Sequence, residues 1–131
     1  MKVLDTDTCI GILRGRHEVI EQRAIEVDEV TTTWVTASEL FYGAAKSAQP
    51  GANAALVTRF LTTLPVLAPD LATARLFGEV KARLATAGQI VADADLFIAS
   101  IALSRSASLV TGNRKHYGRI PGLVLEDWLR A

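Results

Sequence analysis

The sequence predicts one α/β domain with a mostly parallel central sheet and helices on both faces. Two observations predict it. Short aliphatic or β-branched runs alternate with helical patterns along the 131 residues, the order that puts strands side by side and helices across them. The chain is also half hydrophobic and 21% charged, with no repeat, low-complexity segment or linker, so residues 1–131 fit a single domain with one substantial core.

"KVLDTDT" opens with a strand at Val3–Leu4 and runs into a helix around Thr8–Leu13 that stops near Gly15. Residues 17–27 alternate in charge and predict a helix with a solvated face. "VTTTWVT", residues 30–36, is β-branched and aromatic and predicts a strand. "ASELFYGAA" predicts a helix ending near Ser47, with "AQPGAN" as the break. Residues 52–63 predict another helix, "LPVLA" a strand, and "PDLATARLFGEVKARLATAG" a long amphipathic helix ending at Gly88. Residues 94–104 carry no charge after Asp95, so a helix there is apolar on nearly every face and must be buried. "ASLVTG", 107–112, predicts a strand, followed by a turn and by "LVLEDWLRA" as a last short strand and helix.

Lys+Arg and Asp+Glu balance at 14 each, so the summed charge carries no nucleic-acid signal and any such partner must be met by a local patch. The lone Cys9 cannot form an internal disulfide and reads as a small core residue in a reducing compartment. Asp5 and Asp7 interrupt what would have to be the apolar region of a signal peptide, and no run approaches the ~18 apolar residues of a membrane span. The mature protein is expected to begin at Met1 in the cytoplasm.

Ligands of an open parallel sheet bind at the carboxyl ends of its strands, where side chains distant in sequence meet. Acids recur at those junctions: Asp5 and Asp7 after the first strand, Glu39 after the second, Asp70 after the third, Asp93 and Asp95 before the buried helix, with Asn113 after "SLVTG". Helix capping explains some of them. Asp7 can cap the first helix, Asp70 its own, and "TASE" matches a capping box in which Glu39 reaches back to Thr36. Asp93 is the natural cap of the buried helix, which leaves Asp95, ~200° further round, unexplained by the same cap. Asp95 shares a face with Ala99 and Ala102, small residues that leave room beside it. Carboxylates brought together near a core raise each other's pKa unless a cation is present, and hard divalent ions take oxygen ligands. The simplest use of such a site is metal-assisted hydrolysis of a phosphodiester.

"VLDTDTCI", "TASELFYGA", "VADADLFIASIAL" and "LVTGNRKHY", in this order and spacing, resemble the PIN-domain ribonucleases, most closely the VapC-type toxins of toxin–antitoxin pairs. The resemblance spans nearly the whole chain. It implies a Rossmann-like PIN fold, RNA cleavage dependent on Mg²⁺ or Mn²⁺, a homodimer and inhibition by a cognate VapB-type antitoxin. Carried over residue by residue, the family acids fall on Asp5, Glu39 and Asp95, which the resemblance makes both catalytic and metal-binding. Asp93 matches a frequent auxiliary acid, and Asp7, Thr111 and Asn113 complete the auxiliary set. Asn113 stands where many members carry an acid; Asp7 offers partial compensation for that missing charge. "GNRKHYGR" adds Arg114, Lys115 and Arg119 as candidates for RNA phosphate. His116 and His17 lack a second His at ligand spacing, and Trp34 and Trp128 read as core or interface.

Two other readings compete. "DTDT" after a strand matches the opening motif of haloacid-dehalogenase-type phosphatases, with Asp5 as a covalent nucleophile, yet the later acids open a helix instead of ending a strand. An inert PIN-like binding module would explain Asn113.

Overall fold

A computed structural model describes residues 1–129. Its elements are β1 (Lys2–Leu4), α1 (Thr6–Leu13), α2 (His17–Ile25), β2 (Val30–Thr33), α3 (Trp34–Ala45), α4 (Pro50–Leu61), β3 (Val66–Leu67), α5 (Leu71–Thr86), α6 (Asp93–Ser104), β4 (Ser108–Val110), α7 (Arg114–Tyr117) and β5 (Leu125–Glu126). The strands form one sheet in the order β3-β2-β1-β4-β5, and every neighbouring pair is parallel. The chain builds outward from β1 to β2 and β3, then crosses back to add β4 and β5 on the other side. The strand order therefore reverses between β1 and β4, which makes the carboxyl ends of those two strands the crevice of the fold.

Side chains alternate across the sheet, so adjacent strand residues enter different cores. Val3 and Leu109 join Val80, Leu84, Leu96, Ile98 and Ile101 on the face covered by α5 and α6. Leu4 and Val110 join Cys9, Val19, Leu40, Val57 and Phe60 on the face covered by α1 to α4, with Trp128 beside them. Helices thus cover both faces, as the alternation of elements predicts. The uncharged α6 is as buried as its composition requires, with Leu96, Ile98, Ala99, Ser100, Ile101 and Ala102 all in the interior.

The differences from the sequence reading are local. The strand predicted over 30–36 stops at Thr33, because the Thr33 hydroxyl accepts the Thr36 N–H at 3.1 Å and turns the backbone into α3. Capping overrides the β-propensity of Trp34, Val35 and Thr36. The α4 helix begins two residues earlier than predicted, at Pro50, where a ring that fixes φ and lacks an N–H costs nothing. The turn after β4 contains the one-turn helix α7. β5 forms, but no helix follows it through Leu129, whose N–H bonds back to the Asp127 carboxylate at 2.9 Å; Arg130 and Ala131 of the predicted helix lie outside the described residues. Trp34 stands exposed on this chain, whereas Trp128 is buried.

Candidate active site

Asp5 is the first residue past β1, and its N–H donates to the Val110 carbonyl at 3.0 Å, which ties it to the end of β4 at the crevice. Its carboxylate, in a residue only 4% exposed, accepts the Thr8 N–H at 2.9 Å. Asp5 is therefore the cap of α1, and the expected cap, Asp7, is exposed two residues further on. The reason is backbone position: Asp5 has the extended conformation a cap requires, while Asp7 is already helical. Burial pushes the Asp5 carboxyl above the usual aspartate range; hydrogen bonds from Thr111 and Thr8 oppose this, and the charge of Asp7 adds to it.

Glu39 projects from α3 and accepts the Thr6 hydroxyl at 2.6 Å, and Thr6 also lies 3.2 Å from the Thr36 hydroxyl. The capping box predicted from "TASE" is absent, since Thr33 already caps the helix and frees Glu39 to face α1. Asp95, on α6, accepts the Tyr117 hydroxyl on Oδ1 at 3.2 Å, while His116 Nδ1 stands 3.9 Å from Oδ2. The Asn113 amide meets the same His116 nitrogen at 3.2 Å. Tyr117 ties Asp95 to the core on the α5–α6 face. Burial first, and then the charges of Asp95, Asp5 and Glu39, push its phenol well above the tyrosine range. Of the three, Asp95 alone bonds the buried hydroxyl.

Asp93 departs from the sequence reading. Ala92 occupies the cap position of α6 without a side-chain bond, and Asp93 is the first helical residue, exposed and paired with Lys81 at 2.9 Å. Once helical, it no longer has the extended backbone of a cap, and the nearby ammonium of α5 takes its charge. Asp70, by contrast, caps α5 as predicted, in a reciprocal pair with Thr73 whose hydrogen bonds lower the Asp70 pKa. His17 pairs with Glu21 at 2.8 Å on the surface of α2.

A groove of about 670 Å³ beside the crevice is lined by Asp7, Arg14, Arg16, Gly112 and Asn113, and a second of about 640 Å³ reaches Thr6 and Glu39. Arg14 borders both. Arg114 and Lys115 are exposed on α7, while the Arg119 guanidinium turns to the Ile90 carbonyl at 3.2 Å. The sequence reading missed Arg14, Thr6 and Tyr117. Only Arg14 had a local signal, as a cation ending the helix that Asp5 opens; the other two matter through partners over 20 residues away.

The fold and this crevice define an all-parallel α/β domain with acids gathered at its switch point. The chain belongs to the PIN domain family, whose model matches residues 2–122. It is similar to the tRNA(fMet)-specific endonuclease VapC of Salmonella typhimurium, with 39% identity over 127 residues and 96% of each chain covered. Its structure resembles the DNA-bound VapBC of Salmonella typhimurium, with a TM-score of 0.92, 37% identity and 97% of each chain covered. It also resembles VapBC-5 of Mycobacterium tuberculosis, a member of the VapBC family of toxin–antitoxin systems, with a TM-score of 0.71, 28% identity and coverage of 96% of this chain and 95% of that one. Membership in this family displaces the phosphatase reading of "DTDT".

Proposed function

We propose that the protein is a cytoplasmic endoribonuclease toxin in which Asp5, Glu39 and Asp95 hold Mg²⁺ or Mn²⁺ and the RNA phosphate to be cut. The observation that carries the reading is the Asp5 carboxylate, buried at the crevice between β1 and β4 and pushed toward the neutral acid, with Glu39 bonded to Thr6 of the helix Asp5 caps and Asp95 bonded to Tyr117. The donor set suits a hard cation. All three ligands are oxygen anions, and Asp5 bears a burial penalty that Thr111 and Thr8 only partly offset and that a cation would relieve. Among the described residues no three His, Cys, Asp or Glu side chains form a ready-made cage. Mg²⁺ does not need one, since it keeps several waters and is bound through one or two carboxylates plus substrate phosphate.

When bound, the metal supplies an activated water and neutralises charge on the phosphate. The chain's own residues do the rest. Thr6 and Thr8 orient Glu39 and Asp5, and Thr111 holds the Asp5 carboxylate from the β4 side. Asn113 orients water or phosphate without adding charge, and Asp7 and Asp93 supply negative potential at the rim. Arg114 and Lys115, with Arg14 between the two grooves, hold the RNA backbone and set its register. Arg119 joins them only by releasing Ile90.

The similarity to a tRNA(fMet)-specific endonuclease makes a structured RNA, initiator tRNA first, the expected substrate. The similarity to VapBC assemblies makes a VapB-type antitoxin the expected partner. A homodimeric toxin is part of the same proposal. The test is to express the chain with and without its genomic neighbour and to sequence RNA 5′ ends. New ends concentrated in tRNA(fMet) when the chain is expressed alone, and suppressed with the neighbour present, are the expected result. An unchanged profile in both would contradict the proposal.

A further inference from the structure

We infer that Tyr117 is a positioning residue of this site, its buried hydroxyl binding Oδ1 of Asp95 so that Oδ2 is the oxygen presented to cation and RNA. The inference rests on the reading of Asp95 as a metal ligand.

Tyr117 is 2% exposed, and its ring packs in the core on the α5–α6 face of the sheet. A phenol there must find a partner or lose the energy of a hydrogen bond, and the partner is the Asp95 carboxylate at 3.2 Å. No buried side-chain nitrogen or oxygen among the described residues lacks a partner, so the hydroxyl is not left over from packing. A phenol is protonated at neutral pH, and the carboxylate oxygen it faces can only accept, so the hydroxyl is the donor. A donor to an ionised carboxylate makes a charge-assisted bond, stronger than a neutral pair.

The ring itself is held. α7 is one turn long, with the Tyr117 N–H donating to the Asn113 carbonyl at 3.3 Å and its own carbonyl accepting the Ile120 N–H at 3.1 Å. Gly118 closes the turn so tightly that a Cβ there would lie 2.6 Å from the Arg114 carbonyl oxygen. A rigid donor therefore fixes one oxygen of a side chain that is otherwise free to rotate. Among the described residues Asp95 Oδ2 faces His116 Nδ1 at 3.9 Å, beyond hydrogen-bond distance.

A purely structural Tyr117 would be replaceable by Phe without consequence for the cation. Calorimetric titration of the full-length Tyr117→Phe protein with Mn²⁺ is expected to show affinity about 10-fold or more below native, the range found when a ligand loses its orienting partner. Its melting temperature in EDTA should stay near native, since the ring is retained. Unchanged Mn²⁺ affinity would overturn the inference. A second measurement does not depend on that variant folding. The chain labelled with 3-fluorotyrosine has two fluorine signals, Tyr42 and Tyr117, separable by Tyr42→Phe. In metal-free protein, Asp95→Asn should move the Tyr117 signal and leave that of Tyr42 in place; an unmoved Tyr117 signal would refute the contact. If native protein binds no Mn²⁺, the cation reading fails, and the fluorine signal still decides whether Tyr117 holds Asp95.

Discussion

Asp5 performs two tasks that pull its carboxyl in opposite directions. As the cap of α1 it is held ionised by N–H and hydroxyl donors, and as a residue buried at the crevice it is pushed toward the neutral acid, with burial the stronger influence. Its folded-state pKa thus lies above the ordinary 3.8, so the folded chain binds this proton more tightly than the unfolded chain does. The stability that goes with the proton is fully present below 3.8 and is lost as pH rises through the raised value. Asn caps as well as Asp and carries no charge. Melts in EDTA should therefore find Asp5→Asn at least as stable as native at pH 7, with its advantage shrinking as the solution is acidified toward 3.8. A variant less stable than native at pH 7 would mean that the charge serves the fold.

At the scale of elements, helix starts decided what the sequence disclosed. α6 was legible as buried because no arrangement of "LFIASIAL" leaves a polar face, and α5 because Asp70 and Thr73 cap it reciprocally. The starts of α1, α3 and α6 differ from the sequence reading by one to three residues, since Asp5, Thr33 and Asp93 each sit among other residues able to cap and only the backbone conformation selects one. The acids at those starts were legible as a group because parallel topology brings every strand end to one edge. Tyr117 was not, because its importance lies in a contact with Asp95, 22 positions away. The revised place of Asp93 carries its own prediction. Its exposed pair with Lys81 should be worth ~0.2–1 kcal/mol in a double-mutant cycle of Asp93→Ala and Lys81→Ala. Zero coupling, with a loss of ~1 kcal/mol for Asp93→Ala alone, would restore it as a cap.

For the molecule as a whole, the sheet order explains why so short a chain can hold a polar crevice without sacrificing its cores. Strand residues supply both apolar layers, while the residues immediately past β1 and β4, Asp5 and Thr111, fall where the order reverses. Glu39 lies on α3 and Asp95 in the first turn of α6. The balanced total charge fits this division, with acids in the crevice and Arg14, Arg114 and Lys115 around it. The most direct test of this account is cleavage of a labelled tRNA(fMet) transcript by native protein and by Asp5→Asn, Glu39→Gln and Asp95→Asn, each with Mn²⁺ and with EDTA. The account predicts cutting by native protein with Mn²⁺ only and near-complete loss in all three variants; undiminished cutting in EDTA, or by any one of the variants, would contradict it.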